Sequence, residues 1–197
     1  MRISATIFKS IKFLFVMTIL LGMVYPVIVT GIAQLVFPDK ANGSLIVIDG
    51  HVRGSSLLAQ KFDSPRFFHP RPSATDYTYI GAGASNQGPI SAALAKTVED
   101  RRVAWERSYG SLAPEEMLYA SGSGLDPDIS VDAALLQVNI VAKARGLSDN
   151  SRRALVAAIY EQARASGSLI GVARINAMKL NTLLETDPEY GGMLSEK

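Results

Sequence analysis

Residues Phe13 to Phe37 read FLFVMTILLGMVYPVIVTGIAQLVF, a run without a single charged side chain. As a helix rising about 1.5 Å per residue, it would span roughly 37 Å. A bilayer's hydrocarbon core is about 30 Å thick, so the run is long enough to cross with some tilt. No later stretch matches it. SLIVIDGHV is interrupted by Asp49, and AALLQVNIVAKA carries Gln137, Asn139 and Lys143. The fold class expected is therefore one N-terminal transmembrane helix plus a single extracytoplasmic α+β domain.

A cleaved signal peptide is the rival for this stretch. Lys9 and Lys12 would form its basic end, and Gly31 with Ala33 offers a small-x-small cleavage pattern. Signal peptides carry an apolar core of about 7–15 residues, whereas here the run continues through Leu35, Val36 and Phe37. Length favours an uncleaved anchor. The flanks orient it. Arg2, Lys9 and Lys12 precede the run, while Lys40 after it is offset by Asp39. The positive-inside rule then puts residues 1–12 in the cytoplasm, 13–37 in the membrane and 38–197 outside. Thr18, Gly22, Pro26 and Thr30 recur at every fourth position. Small residues at that spacing let a partner helix approach closely, and Pro26 is expected to kink the helix.

The formal net charge of +2 originates in the same flank, because Arg2, Lys9 and Lys12 are the only charged residues before Asp39. The body beyond is close to neutral, which gives nucleic acid no electrostatic footprint. The 197 residues include no cysteine and two histidines, His51 and His69. Disulfides, thiolate nucleophiles and histidine-rich metal sites are thereby excluded.

Beyond the membrane run, Asp49-Gly50 between SLIVI and HVRGS signals a hairpin. Pro65, Pro70 and Pro72 predict an extended course for SPRFFHPRPSA, anchored by Phe62, Phe67 and Phe68. DYTYIGAGASNQGP reads as loop. Helices are expected from about Ile90 to Ser108, from Ser130 to Gly146 and from Ser148 to Gly167, followed by the amphipathic INAMKLNTLLE. Ile90, Leu94, Val98 and Trp105 would mark the buried side of the first helix. Val131, Leu135, Val138 and Ala142 would do so for the second, and Leu155, Ala158 and Ile159 for the third. The tail DPEYGGMLSEK reads as frayed.

Tests for chemistry return little. GAGASNQG lacks the Lys-Ser/Thr ending of a P-loop, and no G-x-G-x-x-G opens a βαβ unit. No G-x-S-x-G is present to make a nucleophile elbow. ASGSGLDPDIS, Ala120 to Ser130, combines a glycine-rich turn with a helix N-terminus, which is a phosphate-binding geometry. It also has a plain structural meaning: Pro127 holds Asp126 extended, the glycines turn the chain and Ser130 caps the next helix.

Taken in order, VYPVIVTGIAQLVFP, ANGSLI, RGSSLLAQKF, FFHPRPSA, GASNQGP, ASGSGLDPDIS, LLQVNIVAKARGL and RINAMKLN resemble one family, the C subunit of the bacterial Kdp potassium-transporting P-type ATPase. The resemblance spans about Tyr25 to Asn181. It implies an accessory, non-catalytic subunit of a high-affinity potassium import complex in the bacterial inner membrane. The implied partners are a potassium-translocating A subunit, an ATP-hydrolysing B subunit and membrane lipid. The phosphorylated D-K-T-G-T motif of P-type ATPases is absent from this chain. The resemblance also implies a catalytic-chaperone role, raising the B subunit's affinity for ATP. No cofactor would be held tightly. A transient ATP would be shared with the B subunit through Ser121, Gly122, Ser123, Gly124 and Gln137. That role conflicts with the charge-derived topology, which places these residues outside while ATP is cytoplasmic. From a different class, a membrane-anchored extracytoplasmic enzyme or solute-binding module remains the alternative.

Overall fold

The computed structural model describes residues 2–166 and 171–191. The chain divides after Leu45 into two units, each considered by itself.

The first unit is one helical rod. Helix α1 spans Arg2–Ile19, a π turn covers Leu20–Val24, and α2 spans Tyr25–Val36. The helix begins well before Phe13, so the basic flank is helical too. From Ser4 to Val36 it is long and apolar enough to cross a membrane. The π turn has a local cause. Pro26 cannot donate to the helix ladder, and its ring crowds the preceding turn. One extra residue relieves the crowding, and the Tyr25 N–H reaches back five residues to the Leu20 carbonyl. The expected break at Pro26 therefore takes the form of a widened turn in a continuous helix. After Phe37 a single turn, α3 (Pro38–Ala41), folds back. The amides of Gln34 and Asn42 exchange hydrogen bonds of 3.2 and 3.3 Å, and Asn42 also donates to the Pro38 carbonyl at 2.8 Å.

The second unit is an α+β domain with two small sheets. Strands β1 (Leu45–Ile48) and β2 (His51–Ser55) form the expected hairpin. Asp49 and Gly50 both take positive φ, 52° and 76°, as the tight turn requires. No helix or strand follows until α4 (Ala92–Tyr109). Strand β3 (Asp128–Ser130) then leads directly into α5 (Val131–Arg145) and α6 (Asp149–Ala165). Strand β4 (Arg174–Asn176) leads in the same way into α7 (Ala177–Thr186). β3 and β4 pair antiparallel, with Ile129 opposite Ile175 and both fully buried.

Caps set the helix boundaries. Ser91, Ser130, Ser148 and Asn176 each accept an amide hydrogen bond at the start of a helix. Gly110 and Gly146 close α4 and α5 in left-handed conformation. The core gathers Phe68, Ile129, Val138, Val141, Leu155, Ile159, Ile175, Leu180 and Leu184.

The sequence-based faces need correction in places. Ile90 is 99% exposed and lies outside α4, whose buried residues are Val98 and Trp105. On α5 the buried stripe runs through Ala133, Ala134, Gln137, Val138, Val141 and Ala142, while Val131 and Leu135 only flank it. Val138 and Ala142 are buried as expected, and alanines and one amide share the stripe with them where α5 lies against α6, β3 and β4. Ile175 belongs to β4 rather than to a helix. The tail is ordered as far as Tyr190, which is buried at the end of a 3₁₀ turn, Pro188–Tyr190. Gly167, the expected end of the third helix, and residues 192–197 lie outside the described residues.

Candidate functional site

The stretches that carry the sequence signature converge on one turn. Ser121, at its start, is fully buried. Its N–H donates to the Pro72 carbonyl at 2.9 Å, and the Gly124 N–H returns to the Ser121 carbonyl at 3.2 Å. Gly124 has φ +70°, and a Cβ there would lie 2.8 Å from Thr75 Oγ1, 2.9 Å from the Gly83 carbonyl oxygen and 3.2 Å from Ser73 Oγ. Both conformation and space therefore demand glycine. Gly122 and Ser123 are exposed, and a Cβ on Gly122 would meet nothing within 4 Å. RPSA, the glycine-rich loop and SGSG are thus three walls of one junction.

Past the turn, Asp126 accepts from the Asp128 N–H at 3.0 Å, bridging Pro127, and pairs with Arg71 at 3.1 Å. The Pro127 carbonyl takes the Ala177 N–H at 2.9 Å, tying the turn to the start of α7. Tyr77 donates from its hydroxyl to the Arg71 carbonyl at 2.9 Å. Burial pushes its phenol up to about 12, only partly offset by the Arg101 guanidinium, so it stays a neutral donor.

The N-terminus of α5 is where a phosphate would be expected. That position is already served from within the chain. Ser130 Oγ accepts from the Ala133 N–H at 3.1 Å, and the Glu116 carboxylate accepts from the Ser130 N–H at 2.6 Å. The other Glu116 oxygen pairs with Arg174 at 2.7 Å. A carboxylate beside a helix N-terminus satisfies the free amides and the helix dipole as an external anion would.

Gln137 is not part of that turn's surface. It is fully buried on α5, and both ends of its amide are engaged by one residue. The His69 N–H donates to Gln137 Oε1 at 2.7 Å, and Gln137 Nε2 donates to the His69 carbonyl at 3.2 Å. Asn181 on α7 does the same to the preceding residue. The Phe68 N–H donates to Asn181 Oδ1 at 2.8 Å, and Asn181 Nδ2 donates to the Phe68 carbonyl at 2.9 Å. Two buried amides from two helices therefore replace the missing strand partner of residues 68–69. Arg145, whose side chain is 1% exposed, completes the frame. It donates to the carbonyls of Arg66 at 2.7 Å and Leu184 at 2.8 Å, pairs with Glu185 at 2.7 Å, and lies over the Phe67 ring.

Asn181, Arg145 and Glu116 are absent from the residues singled out on sequence alone. A signal existed for Asn181, as for Gln137: a lone amide in an otherwise apolar helix stripe implies a buried polar partner. Nothing in the sequence says which partner.

In the membrane helix, Thr18 donates to its own Leu14 carbonyl at 2.8 Å, and a Cβ on Gly22 would meet nothing within 4 Å. The π turn matters to this face. Steps of four drift about 40° each on a regular helix, so Thr18 and Thr30 would stand about 120° apart. The extra residue in the π turn takes back about 100°. Thr18, Gly22, Pro26 and Thr30 are left on one narrow stripe.

Known proteins match this chain in sequence across both units. Residues 7–186 match the family model described as K+-transporting ATPase, c chain. The chain belongs to the KdpC family. Among curated relatives, the potassium-transporting ATPase KdpC subunit of Cereibacter sphaeroides is 44% identical over 172 residues, 87% of this chain and 92% of the relative. The KdpC subunit of Geobacter sulfurreducens is 45% identical over 183 residues, covering 90% of this chain and 95% of its own. That of Leptospira interrogans is 42% identical over 187 residues, 94% and 95% respectively. The likeness covers both units, so membrane helix and domain belong together in the family.

Proposed function

We propose that this chain is the single-pass accessory subunit of an ATP-driven potassium import complex, with no catalytic centre of its own. The family match, running from Ile7 to Thr186 across both units, carries this reading. Its companions are an ATP-hydrolysing subunit and a potassium-translocating subunit. Residues 1–12 face the cytoplasm, 13–37 cross the bacterial inner membrane and 38–197 form the outer domain, by the positive-inside rule. Thr18, Gly22, Pro26 and Thr30 pack against a membrane helix of a partner, a reading supported by their alignment across the π turn. The outer domain stabilises the assembled complex on the potassium-entering side. Co-purification tests this reading. The full chain should isolate as a stoichiometric complex with larger membrane subunits, and potassium uptake should fail without it. Full uptake in its absence would overturn the proposal.

A second proposal, which requires the opposite orientation with the domain in the cytoplasm, concerns the ATP affinity of the hydrolysing subunit. The exposure of Gly122 and Ser123 keeps a nucleotide-related role open for the turn. Within it, Gly122 and Ser123 touch the transient ATP shared with the hydrolysing subunit. Ser121, Gly124 and Gln137, which are buried or internally bonded, shape the turn behind them. Membrane-impermeant labelling of Ser123→Cys in intact cells decides the matter. Reaction from outside only would exclude contact with cytosolic ATP.

A further inference from the structure

The basic flank of the membrane run belongs to the same helix as the run itself, because α1 begins at Arg2 and continues to Ile19. Lys9 and Lys12 therefore have fixed directions. They stand one turn apart and about 60° from each other around the helix axis, so they are surface neighbours. Thr18, the first residue of the small-residue stripe, lies about 180° from Lys9 and about 120° from Lys12. Ile7 and Ile11 each fall within about 20° of Thr18 and prolong that stripe towards the N-terminus. One side of the rod thus carries Ile7, Ile11 and Thr18, and the other carries both lysines. A helix seated on a partner by its Thr18 side keeps the lysines turned to lipid.

Depth agrees with direction. Phe13 to Phe37 covers roughly 37 Å as a helix, against a hydrocarbon core of about 30 Å. Lys12 then falls at the edge of the hydrocarbon and Lys9 about 4.5 Å further out, both in the layer of lipid phosphates. Both lysines are exposed, and neither has an ion-pair partner among the described residues. The first carboxylate in the sequence is Asp39, beyond the far end of the span. At helical rise it is roughly 35 Å from Lys12, several times the Debye length of about 8 Å. Two unpaired cations at this depth meet the phosphodiesters of the bilayer.

We propose that Lys9 and Lys12 together hold the phosphate of an anionic phospholipid, on the side of the membrane helix opposite the Thr18 stripe. Two ammonium groups one turn apart can donate to a single phosphodiester, each through a charge-assisted hydrogen bond. A zwitterionic lipid offers the same phosphate but brings a cation of its own, so the site selects lipids of net negative charge. The inference rests on the reading of Phe13–Phe37 as a membrane span and of the Thr18 stripe as the partner's face.

The test begins with membranes carrying the full chain, washed at alkaline pH. The chain should stay in the pellet, and its release would overturn the span and the lipid site together. The chain is then purified in detergent and titrated with phosphatidylglycerol or phosphatidylcholine, and bound lipid is counted by native mass spectrometry. Phosphatidylglycerol should bind in preference. Lys9→Gln and Lys12→Gln should each weaken it about five-fold, as expected for one basic residue at a lipid surface. Lys9→Arg and Lys12→Arg together should keep the preference, since a guanidinium also binds phosphate. Millimolar inorganic phosphate should leave the lipid in place. Both Gln variants should still recover the partner subunits, because the lysines face away from them. Four results would each overturn the lipid site while leaving the span intact. They are equal binding of the two lipids, an undiminished preference without the lysines, displacement by inorganic phosphate, and loss of the partner subunits with the lipid preference unchanged.

Discussion

The membrane helix and the irregular segment from Ser56 to Ser91 solve the same problem in opposite ways. Each must satisfy a long stretch of backbone. From Ser4 to Val36 the helix meets nearly all its hydrogen bonds within itself, and even Thr18 turns its hydroxyl onto its own carbonyl at Leu14. Residues 66–69 instead depend on Arg145, Gln137 and Asn181, which follow 79, 68 and 113 positions later. Local satisfaction makes an element robust to substitution and leaves its outer face free for a partner. Remote satisfaction makes a segment rigid only while distant side chains stay in place. The signature stretches of the α+β domain belong to the second kind.

The contrast breaks most visibly at the clamps. Asn181→Leu should strand the Phe68 N–H and carbonyl in the core and destabilise the domain by about 3 kcal/mol. Gln137→Leu should do the same at His69. Urea unfolding of the full chain in detergent checks both, and losses below about 1 kcal/mol would mean that another partner replaces the amide. Next comes the junction. Gly124→Ala combines a strained φ with a clash against the Gly83 carbonyl and should cost about 2 kcal/mol. Gly122→Ala, two residues away and in open space, should change stability by less than about 0.5 kcal/mol. Equal effects at the two positions would contradict the wedged turn. Removing the α5 cap with Ser130→Ala should cost about 1 kcal/mol in the same assay. The smallest change in the chain's own stability is expected in the membrane helix. Gly22→Leu has room around it, so the isolated chain should keep its helix content by circular dichroism. A fall in recovery of the assembled complex would then be attributable to the partner's helix.

Much of the fold was legible for a physical reason: its signals are local. The uncharged run, the Asp49-Gly50 hairpin and the serine and glycine caps of α4, α5 and α6 each act within a few residues. Faces were read less well. The stripe read from the sequence placed Val138 and Ala142 correctly, but Val131 and Leu135 are only partly buried, and Ala133, Ala134 and Gln137 are buried instead. The site was legible as a set of motifs and not as a geometry. SGSGLDP resembles a phosphate loop until Glu116 is seen beside the α5 N-terminus and Gly83 against Gly124. Gln137, carried over as a nucleotide-related residue, is a backbone clamp in this domain.

By itself, then, the sequence determined that this chain has one helix able to cross a membrane, an irregularity beside Pro26, and capped helices in a small α+β domain. Hydropathy, proline and capping chemistry operate at short range. Only the tertiary structure decided which polar side chains hold the strandless segment, why Gly124 must be glycine while Gly122 need not be, and that His69 is tied to Tyr109. These depend on contacts between residues dozens of positions apart, and a buried polar group reveals its partner only once the chain has closed around it.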